Sequence, residues 1–109
     1  MKIKSGIKLL AESEGIGPMV KQGDQVTVRL NGWLNRGDRI QTDAIATILV
    51  GRRAVIPGID YSLLGMRKGG VRKVKISAHL AYKDTGLPNL IPPNAALVYE
   101  IEMLAIQIS

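Results

Sequence analysis

Between positions 26 and 31 apolar and polar side chains alternate without a break: Val26, Val28 and Leu30 against Thr27, Arg29 and Asn31. A period of two sends each set to its own face of a strand, so this stretch predicts a half-buried β-strand. The same period returns where Val74 and Ile76 interleave with Lys73 and Lys75. It returns again near the C-terminus, where Leu97, Tyr99, Ile101 and Met103 share one face and Val98, Glu100, Glu102 and Leu104 the other. Residues 7–10 predict a short early strand, and residues 47–50 a short β-prone run closed by Gly51. Gly23-Asp24 marks a turn, Asn35-Arg36-Gly37-Asp38 a hairpin-type connection, and residues 12–17 read as an acidic, glycine-punctuated turn.

One segment has helical spacing. In residues 59–64, after Pro57-Gly58, Ile59 and Leu63 lie four apart and share a face. Asp60 sits in the first turn, where a carboxylate suits the helix dipole, and Gly65 with Gly69-Gly70 releases the chain. So short a helix cannot stand alone in water. It must be held against the concave face of an antiparallel sheet. Many strands, one short helix and no repeat or low-complexity tract predict a single α+β domain over residues 1–109. Residues 1–22 form its N-terminal strand and turn, and residues 23–106 its core.

The length of 109 residues suits one modest hydrophobic core. No run approaches the roughly 18 apolar residues of a membrane span. Met1-Lys2-Ile3-Lys4-Ser5-Gly6 lacks the apolar centre of a secretory leader, so a cytoplasmic location is expected. With no cysteine, disulfides, thiolate metal sites and cysteine nucleophiles are excluded. His79 is the single histidine, which excludes a multi-histidine metal site and argues against a serine–histidine triad. It reads as an exposed residue at a strand end. The formal charge is +6, spread along the chain with pairs at Arg52-Arg53, Arg67-Lys68 and Arg72-Lys73. That distribution reads as a solubilising surface. An aromatic content of 4% leaves little for stacking on bases, so nucleic acid is not an expected partner.

The most specific motif is Ala78-His79-Leu80-Ala81-Tyr82 followed by Leu90-Ile91-Pro92-Pro93-Asn94-Ala95. A tyrosine ends a small apolar run, a polar loop with Gly86 and Pro88 follows, and a double proline launches the last strand. Together with Val55-Ile56-Pro57-Gly58 and Gly65-Met66-Arg67-Lys68-Gly69-Gly70, this resembles the FKBP family of peptidyl-prolyl isomerases over residues 23–106. The resemblance implies a strongly bent five- or six-stranded antiparallel sheet wrapped around one short helix. It assigns the backbone N–H of Ile56 and the hydroxyl of Tyr82 as donors to a substrate carbonyl. Val55, Ile59, Ile40, Ile91, Tyr99 and Leu30 become the apolar substrate-binding walls.

Prolyl isomerisation suits a chain with so little other catalytic equipment. Amide resonance sets a barrier of about 18–20 kcal/mol, and uncatalysed X–Pro exchange takes roughly tens to hundreds of seconds. A site helps by stripping water from the carbonyl and by donating a hydrogen bond where the turning oxygen arrives. No metal, cofactor or nucleophile is required.

Several positions depart from the family pattern. Ile59 stands where a tryptophan floor is usual, Leu30 replaces a tyrosine, and Ile40 and Ala46 replace phenylalanines. Gln41 replaces an aspartate, and Tyr99 adds a hydroxyl to a position usually held by phenylalanine. Trp33, three residues from Leu30 on an alternating strand, should face the other way. Each lost aromatic contact to a proline ring is worth on the order of 1 kcal/mol. Four losses amount to about 3–4 kcal/mol, roughly a hundredfold in affinity, of which aliphatic burial restores part. The sequence therefore predicts a monomeric, weak, macrolide-insensitive isomerase for X–Pro bonds in peptides or unfolded proteins. The alternative is an FKBP-like peptide-binding or interaction module that has lost the chemistry.

Overall fold

The computed structural model describes residues 4–107. Five strands, β1 (Ile7–Ser13), β2 (Gln25–Leu34), β3 (Arg39–Leu49), β4 (Val71–Ile76) and β5 (Leu97–Gln107), form one antiparallel sheet in the order β1-β4-β5-β2-β3. One helix, α1 (Pro57–Leu63), joins β3 to β4. This is the α+β architecture that the alternation predicts.

The inward sets are those of the sequence pattern. Leu97, Tyr99, Ile101 and Met103 are all buried, as are Val26, Val28 and Leu30 on the neighbouring β2. Ile59 and Leu63 of α1 complete the core against them. The helix approaches β4 so closely that a Cβ at Gly58 would lie 2.3 Å from Cγ2 of Ile76, so only glycine fits there. Register shifts interrupt β1, β2 and β3. Such irregularities bend and twist the strands that carry them.

Two buried charges hold the seven-residue helix in place. At its C-terminal end, Nη1 of Arg72 donates to the carbonyls of Ser62 (3.0 Å) and Leu64 (2.6 Å), while Nε pairs with Oε2 of Glu12 at 2.5 Å. A cation at that terminus satisfies carbonyls that have no partner within the helix. At the other end Asp60 accepts from the backbone N–H groups of Gly51 (2.9 Å) and Arg53 (3.4 Å). The β3–α1 loop is thereby tied to the first turn.

Five local expectations change. β1 continues to Ser13 through part of the stretch read as an acidic turn, because its pairing with β4 resumes after the register shift between Leu9 and Ala11 and sets Glu12 opposite Arg72, to which it bonds. Arg72, read as part of a solubilising basic pair, is buried for the same reason. β3 runs for 11 residues, from well before the predicted start at residue 47; at the sheet edge most of its residues are exposed or half-exposed on both faces, so no apolar alternation marks it. α1 begins at Pro57 and not at Ile59: proline is suited to the first helical position, where no N–H is needed. His79 lies in a 3₁₀ turn, Ala78–Leu80, and is exposed there.

Trp33 occupies the face opposite Leu30, as alternation requires. It lies half-buried under the guanidinium of Arg39 (4.6 Å from the ring centroid) and the ammonium of Lys73 (5.5 Å).

Candidate functional site

The concave side of β2, β3 and β5 is built around Tyr99. Its Cα partner across the β2–β5 ladder is Gly32, and a Cβ there would sit 2.6 Å from Cζ of the tyrosine ring. The missing side chain at position 32 is what lets the ring lie down on the sheet. Tyr99 is 5% exposed, and its hydroxyl donates to Oε1 of Gln41 at 2.7 Å. Burial, with a smaller contribution from neighbouring Tyr82, pushes its pKa from 10.0 up to about 12. The hydroxyl therefore keeps its proton at physiological pH.

Gln41 reaches Tyr99 because β3 is irregular. Leu30 pairs with Ala44, but Gly32 pairs with Gln41, so β3 holds one residue more than β2 over this interval. Asp43 takes up the excess with a left-handed backbone (φ 45°). Asn31 braces it from both sides: its Oδ1 accepts from the N–H of Asp43 at 2.9 Å and its Nδ2 donates to Oδ1 of Asp43 at 3.2 Å. Oδ1 of Asn31 also accepts from Nη2 of Arg39. A further shift between Gly32 and Trp33 leaves Ile40 packed against the core.

The residues expected to line a site fall into two layers of one apolar cluster. Leu30, Ile59, Ile91 and Tyr99 are buried, while Val55, Ile56, Ile40, Ala46 and Tyr82 pack on them half-exposed. Leu30 and Ile59, at 3% and 4% exposed, support this surface from below. Ile91 is returned toward Tyr82 by the loop between them. The N–H of Gly86 donates to the carbonyl of Tyr82 at 3.0 Å, and Leu87 and Ile91 exchange two backbone hydrogen bonds of 2.8 Å. Gly86 is required in that loop, since a Cβ would lie 2.4 Å from the Ile91 carbonyl oxygen and φ is +67°.

Hydrogen-bonding groups at the rim are available. Among the described residues, the backbone N–H of Ile56 and the hydroxyl of Tyr82 make no hydrogen bond, and neither does Nε2 of Gln41. The carbonyl of Ile56 does accept, from Ile59 (3.0 Å) and Asp60 (3.2 Å), which fixes its peptide at the helix corner. Cavities of about 330 and 250 Å³ are both lined by Pro92 and Pro93, and one of about 200 Å³ is lined by Gln22, Arg53 and Tyr61. Tyr82 and Ile56 are in the wall of none of these three. Glu100 and Glu102 face outward, Glu102 paired with Arg29 at 2.7 Å.

Sequence reasoning singled out Gln41 and Tyr99 separately, as departures, without their contact. It also missed Asp60 as the anchor of the loop before Ile56 and Arg72 as the cap of α1. Charged residues beside a short helix were the available signal.

A family model described as FKBP-type peptidyl-prolyl cis-trans isomerase matches residues 17–104. The FK506-binding protein 4 of Chaetomium thermophilum is 37% identical over 110 residues, which is 98% of this chain and 23% of that protein. That of Dictyostelium discoideum is 35% identical over 105 residues, 94% of this chain and 29% of its own. The FK506-binding protein of Neisseria meningitidis serogroup A is 35% identical over 97 residues, 85% of this chain and 89% of its own. The chain thus spans about a quarter of the first two relatives and most of the third.

Proposed function

The chain belongs to the FKBP-type peptidyl-prolyl cis-trans isomerase family, and from that premise we propose that it catalyses cis–trans exchange about X–Pro bonds in peptides or unfolded proteins. The observation that carries this reading is the pair of donors without partners, the Ile56 N–H and the Tyr82 hydroxyl, beside an apolar surface. The proline ring rests on Tyr99, Ile59 and Ile91, with Val55 and Ile40 at the edges. Burial there removes water from the prolyl amide, and the twisted amide, less polar than the planar one, gains relative to it. The Ile56 N–H holds a substrate carbonyl on the peptide that Asp60 and Pro57 keep rigid. Tyr82 donates to a second substrate carbonyl. No proton is transferred and no bond is broken, so a neutral, preorganised site suffices.

The reading includes a monomer at work in the cytoplasm. No helix among the described residues is long and apolar enough to cross a membrane. It also includes weak activity and weak macrolide binding, because Ile59, Leu30, Ile40 and Ala46 offer no aromatic ring to the ligand. The replaced residues favour a second reading, a peptide-binding module without turnover. NMR exchange spectroscopy on a short Leu-Pro peptide separates the two. The isomerase enhances cis–trans cross-peaks in proportion to its concentration. Shift changes at Ile56 and Tyr82 without enhanced exchange leave only the module.

A further inference from the structure

The Tyr99–Gln41 hydrogen bond joins two departures from the family pattern inside the same site. A carboxamide has an acceptor at one end and two donors at the other. The Tyr99 hydroxyl, protonated and buried, engages the acceptor end. The donor end then points away from Tyr99. It has no partner among the described residues, and none of their side-chain polar atoms is both buried and unpartnered, so Nε2 is open to a ligand. The braced bulge at Asp43 and Asn31 fixes the backbone from which Gln41 projects.

We propose that Gln41 is a specificity-determining residue, positioned by Tyr99: it presents a neutral N–H donor to the residue before the proline and so admits acidic X–Pro segments that an anion at this position would repel. This rests on the isomerase reading given above. Two carboxylates within a few ångströms in a half-buried site repel strongly, whereas an amide donor attracts a carboxylate. Tyr99 acts through Gln41, since its hydroxyl donates to Oε1 and so leaves Nε2 on the outward side.

The test compares peptides that differ only in Leu, Gln or Glu before the proline. At pH 7, Gln41→Glu should lower the Glu-Pro to Gln-Pro ratio of kcat/KM about tenfold relative to the parent protein. The ratio should recover as the pH falls to about 4, where carboxylates take up protons. In a Tyr99→Phe background, with the amide no longer held, turnover of Glu-Pro should fall more than that of Leu-Pro. A Glu-Pro to Gln-Pro ratio equal in the parent protein and Gln41→Glu at pH 7 overturns the proposal. Should Gln41→Glu fail a thermal-melt check, Gln41→Met, which keeps the bulk and loses the donor, takes its place: Glu-Pro should lose severalfold more than Leu-Pro, and equal losses on the two overturn the proposal. If the parent protein turns over none of the three peptides, the isomerase reading alone fails. The same ratios are then read from Kd values in NMR titrations, where equal affinities before and after Gln41→Glu overturn the present inference.

Discussion

Tyr99 and Gln41, 58 positions apart in sequence, are joined side chain to side chain by a 2.7 Å hydrogen bond across the concave side of the sheet. The family pattern has a tyrosine at position 30 and a phenylalanine at position 99. Here position 30 is Leu and position 99 is Tyr, so the hydroxyl is carried by β5 and not by β2, on the same face of the sheet. Gln41 receives it because the strand irregularity at Asp43 turns that side chain inward.

Tyr99 should ionise late. Its folded-state pKa of about 12 lies above its ordinary 10.0, because burial disfavours the phenolate. A raised pKa contributes stability that is full below pH 10 and is lost as pH rises toward 12. Ultraviolet titration should therefore reveal a tyrosinate step near pH 12, absent from Tyr99→Phe. A titration curve with the late step still present in that variant contradicts the assignment.

Gly32→Ala should force the Tyr99 ring off the sheet. The new methyl would lie 2.6 Å from Cζ, a distance that real contacts do not reach. Overpacking of this kind costs about 1–3 kcal/mol. The denaturation midpoint in urea should fall accordingly, and the Tyr99–Gln41 hydrogen bond should be lost. Tyr99→Leu in the same background should recover part of the stability.

The Arg72–Glu12 pair contributes to the acid limb of the stability curve. The Glu12 carboxyl is held below its ordinary 4.5, first by its hydrogen bond to Arg72 and then by that residue's charge, against opposing desolvation. A depressed pKa contributes stability above the ordinary value, lost as pH falls through the folded one. Glu12→Gln should thus be less stable than the parent at pH 7 and equal to it in strong acid. Arg72→Met, which leaves the carbonyls of Ser62 and Leu64 and the Glu12 carboxylate without their partner, should cost about 2–4 kcal/mol at pH 7. Urea melts at several pH values check both.

Tyr82→Phe should slow Leu-Pro exchange by about two- to tenfold, the worth of one neutral hydrogen bond. Its hydroxyl has no protein partner among the described residues, so the melting temperature should move little. A rate unchanged in Tyr82→Phe would remove the hydroxyl from the reaction.

Strands buried on one face were readable from residue order alone. β2 and β5 betray themselves because most alternate residues meet water, and Trp33 follows the same parity; Asn31 is the exception in β2, buried where it braces Asp43. β3 was harder, since at the sheet edge Thr42, Ile45, Thr47 and Leu49 are exposed whatever their polarity. β1 was cut short because its alternation slips at Leu9 and Ala11. The apolar members of the site followed from the family likeness. Its polar wiring did not, because Gln41 reaches Tyr99 only through an extra residue whose location the sequence does not mark. Buried Arg72 and Asp60 escaped for a related reason: a charge looks alike in sequence whether it meets water or a distant carbonyl.

The link from Glu12 to Arg72 spans 60 positions, and Arg72 in turn closes the end of α1. During synthesis the helical segment leaves the ribosome before the residue that caps it. The strand pair that carries both, β1–β4, must then wait for β5 to join it to β2–β3, since β5 lies between β4 and β2 in the sheet and follows them in the chain. A nascent chain stopped short of residue 97 would hold β1–β4 and β2–β3 as two unjoined pairs of strands. The domain therefore assembles after translation of its final strand, with little structure to gain from vectorial growth.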